Sequence, residues 1–132
     1  MGVFLMTTML EDNVKKIYIC SALHGNENVN IRKAQCYCKY VVREFGYIPI
    51  APHIYFTQFL KDEIAEEREF GLNAGLSLLS CCDELWYFGD QISRGMTDEI
   101  CYALEHKIPV KYIPEYNYEI YIKERNQVYE ME

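Results

Sequence analysis

Glu99 is the residue whose position asks for a chemical reason. It falls three residues after Met96 and four before Ala103, on the stripe that an amphipathic helix over 93–106 turns toward its sheet. An unpaired charge is costly to bury. A carboxylate in that position is a candidate nucleophile for covalent catalysis, and the positive end of a helix near its first turn favours the anion. Two plainer readings compete: Glu99 caps its helix, or it pairs with Arg94.

Three turns carry the remaining candidate groups. They read Ala22-Leu23-His24-Gly25-Asn26, Pro52-His53-Ile54-Tyr55 and Gly89-Asp90-Gln91-Ile92-Ser93-Arg94-Gly95. Ser93, Arg94 and the backbone N–H groups near Gly95 open a helix, where unsatisfied donors and the dipole suit a phosphate. Arg94 is alternatively a solvated surface charge. Asp90 follows a strand directly and is the candidate acid for protonating a leaving group. Asp83, at the other end of that strand, is assigned to capping. His24 and His53 are either ligand contacts or exposed turn residues. Tyr18 and Tyr55 either stack on a flat ligand or pack, as most of the 12 tyrosines must.

The elements that bring these turns together follow from hydrophobic period. Short β-branched and aromatic runs at 15–21, 47–51, 83–88 and 108–113 read as strands. Pro49 places the second at a sheet edge, because proline cannot donate to a ladder. Helical spacing covers 28–45 (Ile31, Ala34, Cys38, Val41, Val42, Phe45), 62–80 (Ile64, Phe70, Gly71, Ala74, Leu78) and 93–106. Residues 116–131 read as a short strand, a helix or a subunit-contact arm. Alternating strands and helices predict an α/β fold: a three-layer, Rossmann-like or flavodoxin-like parallel sheet of four to five strands with helices on both faces. Ligands of such sheets settle beyond the carboxyl ends of the strands, where the three turns emerge. The expected organisation is a frayed segment at 1–14, a domain at 15–113 and a tail at 114–132 that is a candidate subunit contact.

With 132 residues, 50% hydrophobic and 25% charged, the chain has the size and balance of one soluble globular domain. Its formal charge of −7 would oppose any broad phosphate-tracking face, so no nucleic acid partner is expected. No run approaches the roughly 18 apolar residues that span a bilayer. The start lacks a basic leader, and Met6 stands where myristoylation wants Ser or Thr. A cytoplasmic protein without membrane contact is the expectation. The 6 cysteines contain no C-x-x-C pair, which points to reduced thiols rather than a zinc or redox site. Neither G-x-G-x-x-G after the first strand nor G-x-x-x-x-G-K-[ST] is present, which sets aside dinucleotide dehydrogenases and P-loop enzymes.

The segments YICSALHG, GDQISRG and GMTDEICYAL resemble the nucleoside 2-deoxyribosyltransferase-like superfamily over about residues 15–113. The first segment is most similar to the 2′-deoxynucleoside 5′-phosphate N-hydrolase branch. Position by position, the resemblance implies Glu99 as nucleophile, Tyr18 as the active-site tyrosine of the first strand, Gly95 as the glycine four residues before the glutamate, and Ser93 as a phosphate-binding serine. It implies attack at C1′ of a deoxyribose, departure of the base, and resolution of a glycosyl-enzyme by water or a second base. The implied partner is a small-molecule nucleoside or nucleotide, in a homo-oligomer whose partner chains contribute to the site. No cofactor and no metal are expected. His24 stands where the hydrolase branch has an arginine, and an imidazole is a pH-dependent donor. Gly75 stands where the family has an aspartate, with Glu69 and Asn73 the nearby polar residues. These departures sustain an alternative, a non-catalytic nucleotide-binding protein (a sensor or sequestering module) of the same fold. A third reading makes the Tyr-rich stretch at 112–129 an assembly surface.

Overall fold

The computed structural model describes residues 14–131, so the segment read as a frayed start lies, apart from Val14, outside the described residues. Four strands, β1 (Lys16–Cys20), β2 (Ile48–Ile50), β3 (Glu84–Phe88) and β4 (Val110–Ile113), form one parallel sheet in the order β2-β1-β3-β4. The helices are α1 (Glu27–Phe45), α2 (Pro52–Phe56), α3 (Ala65–Ser80), α4 (Arg94–Glu105) and α5 (Glu115–Met131). Chain order reverses between β1 and β3, the switch point at which open α/β sheets leave a crevice. Pro49 sits in the edge strand, where its missing N–H costs no ladder bond.

The period-2 alternation of β1 builds two cores. Ile17 and Ile19 point to one face, into Ala34, Tyr37, Tyr40 and Val41 of α1 and Tyr118 of α5. Tyr18 and Cys20 point to the other, into Leu79 of α3 and Met96 and Ala103 of α4. Three layers result, with the chemistry-bearing residues of β1 and α4 sharing one of them. Asp83 does its capping at the start of the sheet, where its carboxylate accepts the Lys16 N–H at 2.7 Å.

Several faces differ from the pattern expected. In α3 the buried positions are Gly75 and Leu79, while Phe70 and Leu78 are 59% and 38% exposed, so the inward stripe is rotated from the one predicted. That helix starts at Ala65, leaving Asp62 and Glu63 in the preceding loop. In α1 the inward load falls on Tyr37 and Tyr40, with Val42 and Phe45 at the margin. The short helix α2, with Pro52 at its first position, replaces the turn expected there; five residues are too few to show a helical period. Gly46 ends α1 at φ 69°, a conformation that costs a glycine little.

Residues after Pro114 form α5, which packs on α1. Tyr118 is 2% exposed, its ring edge-on to Tyr37 at 4.8 Å and to Phe88 at 5.5 Å, and its hydroxyl accepts the Gly89 N–H at 3.3 Å. Tyr121 donates to Glu44 at 3.0 Å, and Arg125 bonds Gln35. Much of the aromatic tail is therefore spent inside the chain. Replacing Tyr118 with alanine removes a core ring and a loop anchor together and should lower unfolding free energy by about 3–5 kcal/mol in urea titration. Tyr116→Ala, at a position 77% exposed, should change it by less than about 0.5 kcal/mol.

Candidate active site

Tyr18 lies mid-strand in β1, 2% exposed, and its hydroxyl donates to Oε2 of Glu99 on α4. The local sequence of α4 sets that meeting. Ser93 is the N-cap, its hydroxyl accepting the Met96 N–H at 3.3 Å, and Met96 is buried against the sheet. Glu99, three residues on from Met96, then falls on the same face one turn later. It stands in the second turn, beyond the unsatisfied first-turn N–H groups, so the helix end is not what holds the carboxylate. Ser93 does the capping and Arg94 is exposed, so neither plainer reading of Glu99 holds.

Burial pushes the Glu99 carboxyl up to about 7, assisted by the neighbouring Asp98 charge. Hydrogen bonds from Tyr18 and Cys20 act in the opposite direction and keep the rise from being larger. The side chain is therefore fully ionised only on the alkaline side of neutrality, a narrower window than a free carboxylate has. Burial and the Glu99 charge push the Tyr18 hydroxyl well above its ordinary range, so it remains a donor. Cys20, fully buried with its thiol 3.8 Å from the Met96 carbonyl, is likewise held protonated by burial.

Gly75 of α3 closes the third side. A β-carbon there would meet the Tyr18 hydroxyl at 3.4 Å, the contact it would make outside its own helix. The glycine at the position where the resemblance anticipates an aspartate thus faces the Tyr18 hydroxyl that bonds Glu99.

The carboxyl ends of β1 and β2 carry a second polar pair, Ser21 Oγ and His53 Nε2 at 3.2 Å. Burial lowers His53 to about 4, so the ring is neutral near pH 7 and offers a hydrogen bond rather than a charge. Sequence reasoning missed Ser21, because the strand read over 15–21 took it in, whereas β1 ends at Cys20 and leaves it just past the strand. His24 lies apart, its Nε2 3.1 Å from Asp62 with side chains 72% and 43% exposed. With Glu27 these two place their ligand atoms within 4.8 Å of one another, the one group among the described residues able to hold a cation. Gly25, at φ 110°, serves the turn, which the Asn30 amide fastens through the Leu23 and His24 carbonyls at 2.9 and 3.2 Å.

Tyr55 is 61% exposed and meets Phe56 and Phe59 edge-on. Asp90, Arg94 and Gly95 are exposed at the mouth between β3 and α4, beside the capping hydroxyl of Ser93. Clefts between α1 and α5, lined by Lys39, Tyr121 and Glu124, lie on the other face of the sheet. Among the described residues no helix is long and apolar enough to cross a membrane.

A family model described as Domain of unknown function (DUF7768) matches residues 15–113. No curated protein matches the sequence. Among solved structures the fold is similar to a 2-deoxyribosyltransferase from the psychrotolerant bacterium Bacillus psychrosaccharolyticus, with a TM-score of 0.60 and 20% identity over 76% of this chain and 72% of that one.

Because Glu99 is raised from 4.5 to about 7 in the folded state, its ionisation costs stability. The cost is absent below the unfolded value, grows between the two, and is complete above the folded one. Glu99→Gln should therefore melt several degrees higher than the parent at pH 8, with the gap closing by pH 4.5. A constant difference across that range would remove the buried-carboxylate assignment.

Proposed function

This chain belongs to the DUF7768 family, and from the site it carries we propose that it is an N-glycosidase or deoxyribosyltransferase acting on a nucleoside or its 5′-monophosphate. The observation that carries the reading is the hydrogen bond from Tyr18 to a partly buried Glu99 beside the switch-point crevice. Ionised Glu99 attacks C1′ from the face opposite the base, and the C1′–N bond breaks with its electron pair going to the base nitrogen. Asp90, at the end of β3, supplies the proton that makes the base a better leaving group. Water or an acceptor base then attacks C1′, the ester bond breaks, and the Glu99 carboxylate returns, the double displacement of retaining glycosidases.

Tyr18 orients the carboxylate and its donated hydrogen bond favours the ionised form. Ser93, Arg94 and the N–H groups near Gly95 receive a 5′-phosphate at the start of α4. His53, neutral and bonded to Ser21, offers a hydrogen bond to a sugar hydroxyl. The partner is a small molecule, and the assembly is a homo-oligomer. Gly75, which leaves no second carboxylate beside the pair, favours the competing reading of a nucleotide-binding module without turnover.

Chromatography of the common deoxynucleosides and their monophosphates after incubation separates the two. Released base, with kcat/KM climbing as pH passes through about 7, is the result expected of the enzyme. Glu99→Gln should lower it by roughly 10³-fold or more. Tyr18→Phe, which removes a bond that lowers the Glu99 pKa, should displace the rise to higher pH. Ligands that raise the melting temperature yet are recovered intact would instead establish the binding module.

A further inference from the structure

The ground beside the Tyr18–Glu99 pair is defined by a missing side chain. Gly75 is buried in α3 and faces the Tyr18 hydroxyl: outside its own helix, a β-carbon added to it would have that oxygen within 4 Å, at 3.4 Å. The space that a β-carbon would take beside the Tyr18 hydroxyl, the group that bonds the nucleophile, is therefore left to no side chain of α3. That volume lies where substrate stereochemistry makes it count. In a β-nucleoside the base leaves from the upper face of the furanose, so a displacing carboxylate approaches C1′ from the lower face. The 2′-hydroxyl of a ribose is on that same lower face, one carbon away. Whatever flanks the nucleophile decides whether a 2′-hydroxyl can be accommodated or only a hydrogen.

We propose that Gly75 is the specificity-determining residue of this site, leaving room for a 2′-hydroxyl, so that the protein accepts ribonucleosides or their 5′-monophosphates as well as the 2′-deoxy forms. The inference rests on the glycosidase reading and adds the sugar class to it. That space adjoins the Tyr18–Glu99 bond, and the Glu99 carboxylate, which takes the Tyr18 proton on Oε2, has acceptor capacity left for the proton of the extra hydroxyl. A hydroxyl that enters such a site unpaired would be rejected, whereas one whose proton finds a carboxylate acceptor is not. A methyl at position 75 would occupy the space without adding charge, and alanine is at home inside a helix.

The test compares kcat/KM for base release from a ribonucleoside monophosphate and its 2′-deoxy counterpart, in the parent protein and in Gly75→Ala. The parent should handle the two sugars within about tenfold of each other, and Gly75→Ala should depress the ribose reaction at least about tenfold more than the deoxyribose reaction. Gly75→Ser, bulkier and still uncharged, should widen the ratio further. Melting curves of both variants verify folding, and the ratio within one preparation is insensitive to any loss of active protein. Release from the 2′-deoxy form alone, or a ratio that Gly75→Ala leaves unchanged, overturns this inference and spares the glycosidase reading. Release from neither sugar overturns both.

Discussion

A phenol hydroxyl donating to a partly buried carboxylate, Tyr18 to Glu99, is the contact on which the site depends. Removing a carboxylate from water costs more than one hydrogen bond returns: a charge-assisted bond contributes roughly 1.5–3 kcal/mol, whereas effective desolvation of an ion runs to several. The balance is visible in Glu99, whose pKa sits at about 7 although Tyr18 and Cys20 both act to lower it. The site therefore holds its carboxylate near the midpoint of titration at neutral pH. A carboxylate so placed has lost much of its hydration, which leaves it more reactive toward a carbon electrophile whenever it is ionised.

The rest of the fold keeps those two side chains in register. Tyr18 comes from β1, an interior strand paired to β2 on one side and β3 on the other, so its backbone has little freedom. Glu99 is positioned by a helix whose start is fixed at Ser93 and whose first turn is pinned by buried Met96. The loop that leads from β3 into α4 is tethered from the far face of the sheet, where Tyr118 of α5 accepts the Gly89 N–H. The third wall, at Gly75, is backbone alone. Function and packing thus meet in one layer: α3 and α4 cover one face of β1, α4 carrying the carboxylate and α3 lying against the hydroxyl that bonds it.

Strand positions, the parallel α/β class, the edge location signalled by Pro49 and the inward turn of Glu99 were legible because each has a local signature, whether period 2, period 3.6 or a missing donor. What was illegible lacked one. The helix α3 carries apolar residues around much of its circumference, so its buried stripe through Gly75 and Leu79 could not be read from spacing, and exposed Phe70 was mistaken for core. α2 is shorter than the period that would reveal it. Ser21 and His53 meet only because β1 and β2 are neighbours in the sheet, 32 residues apart in sequence. The role of the first helical turn in holding Glu99 was overestimated, since the cap at Ser93 puts the carboxylate a turn too far along. The proximity of Gly75 to Tyr18 is likewise a property of how α3 lies on β1.

Covalent chemistry at one carboxylate is the central claim, and mass spectrometry of the acid-quenched, proteolysed protein after brief mixing with substrate addresses it most directly. A mass increase matching the bound sugar should appear on the peptide that contains Glu99 and be missing from Glu99→Gln. Base release accompanied by no adduct, or by an adduct on any other residue, would contradict it.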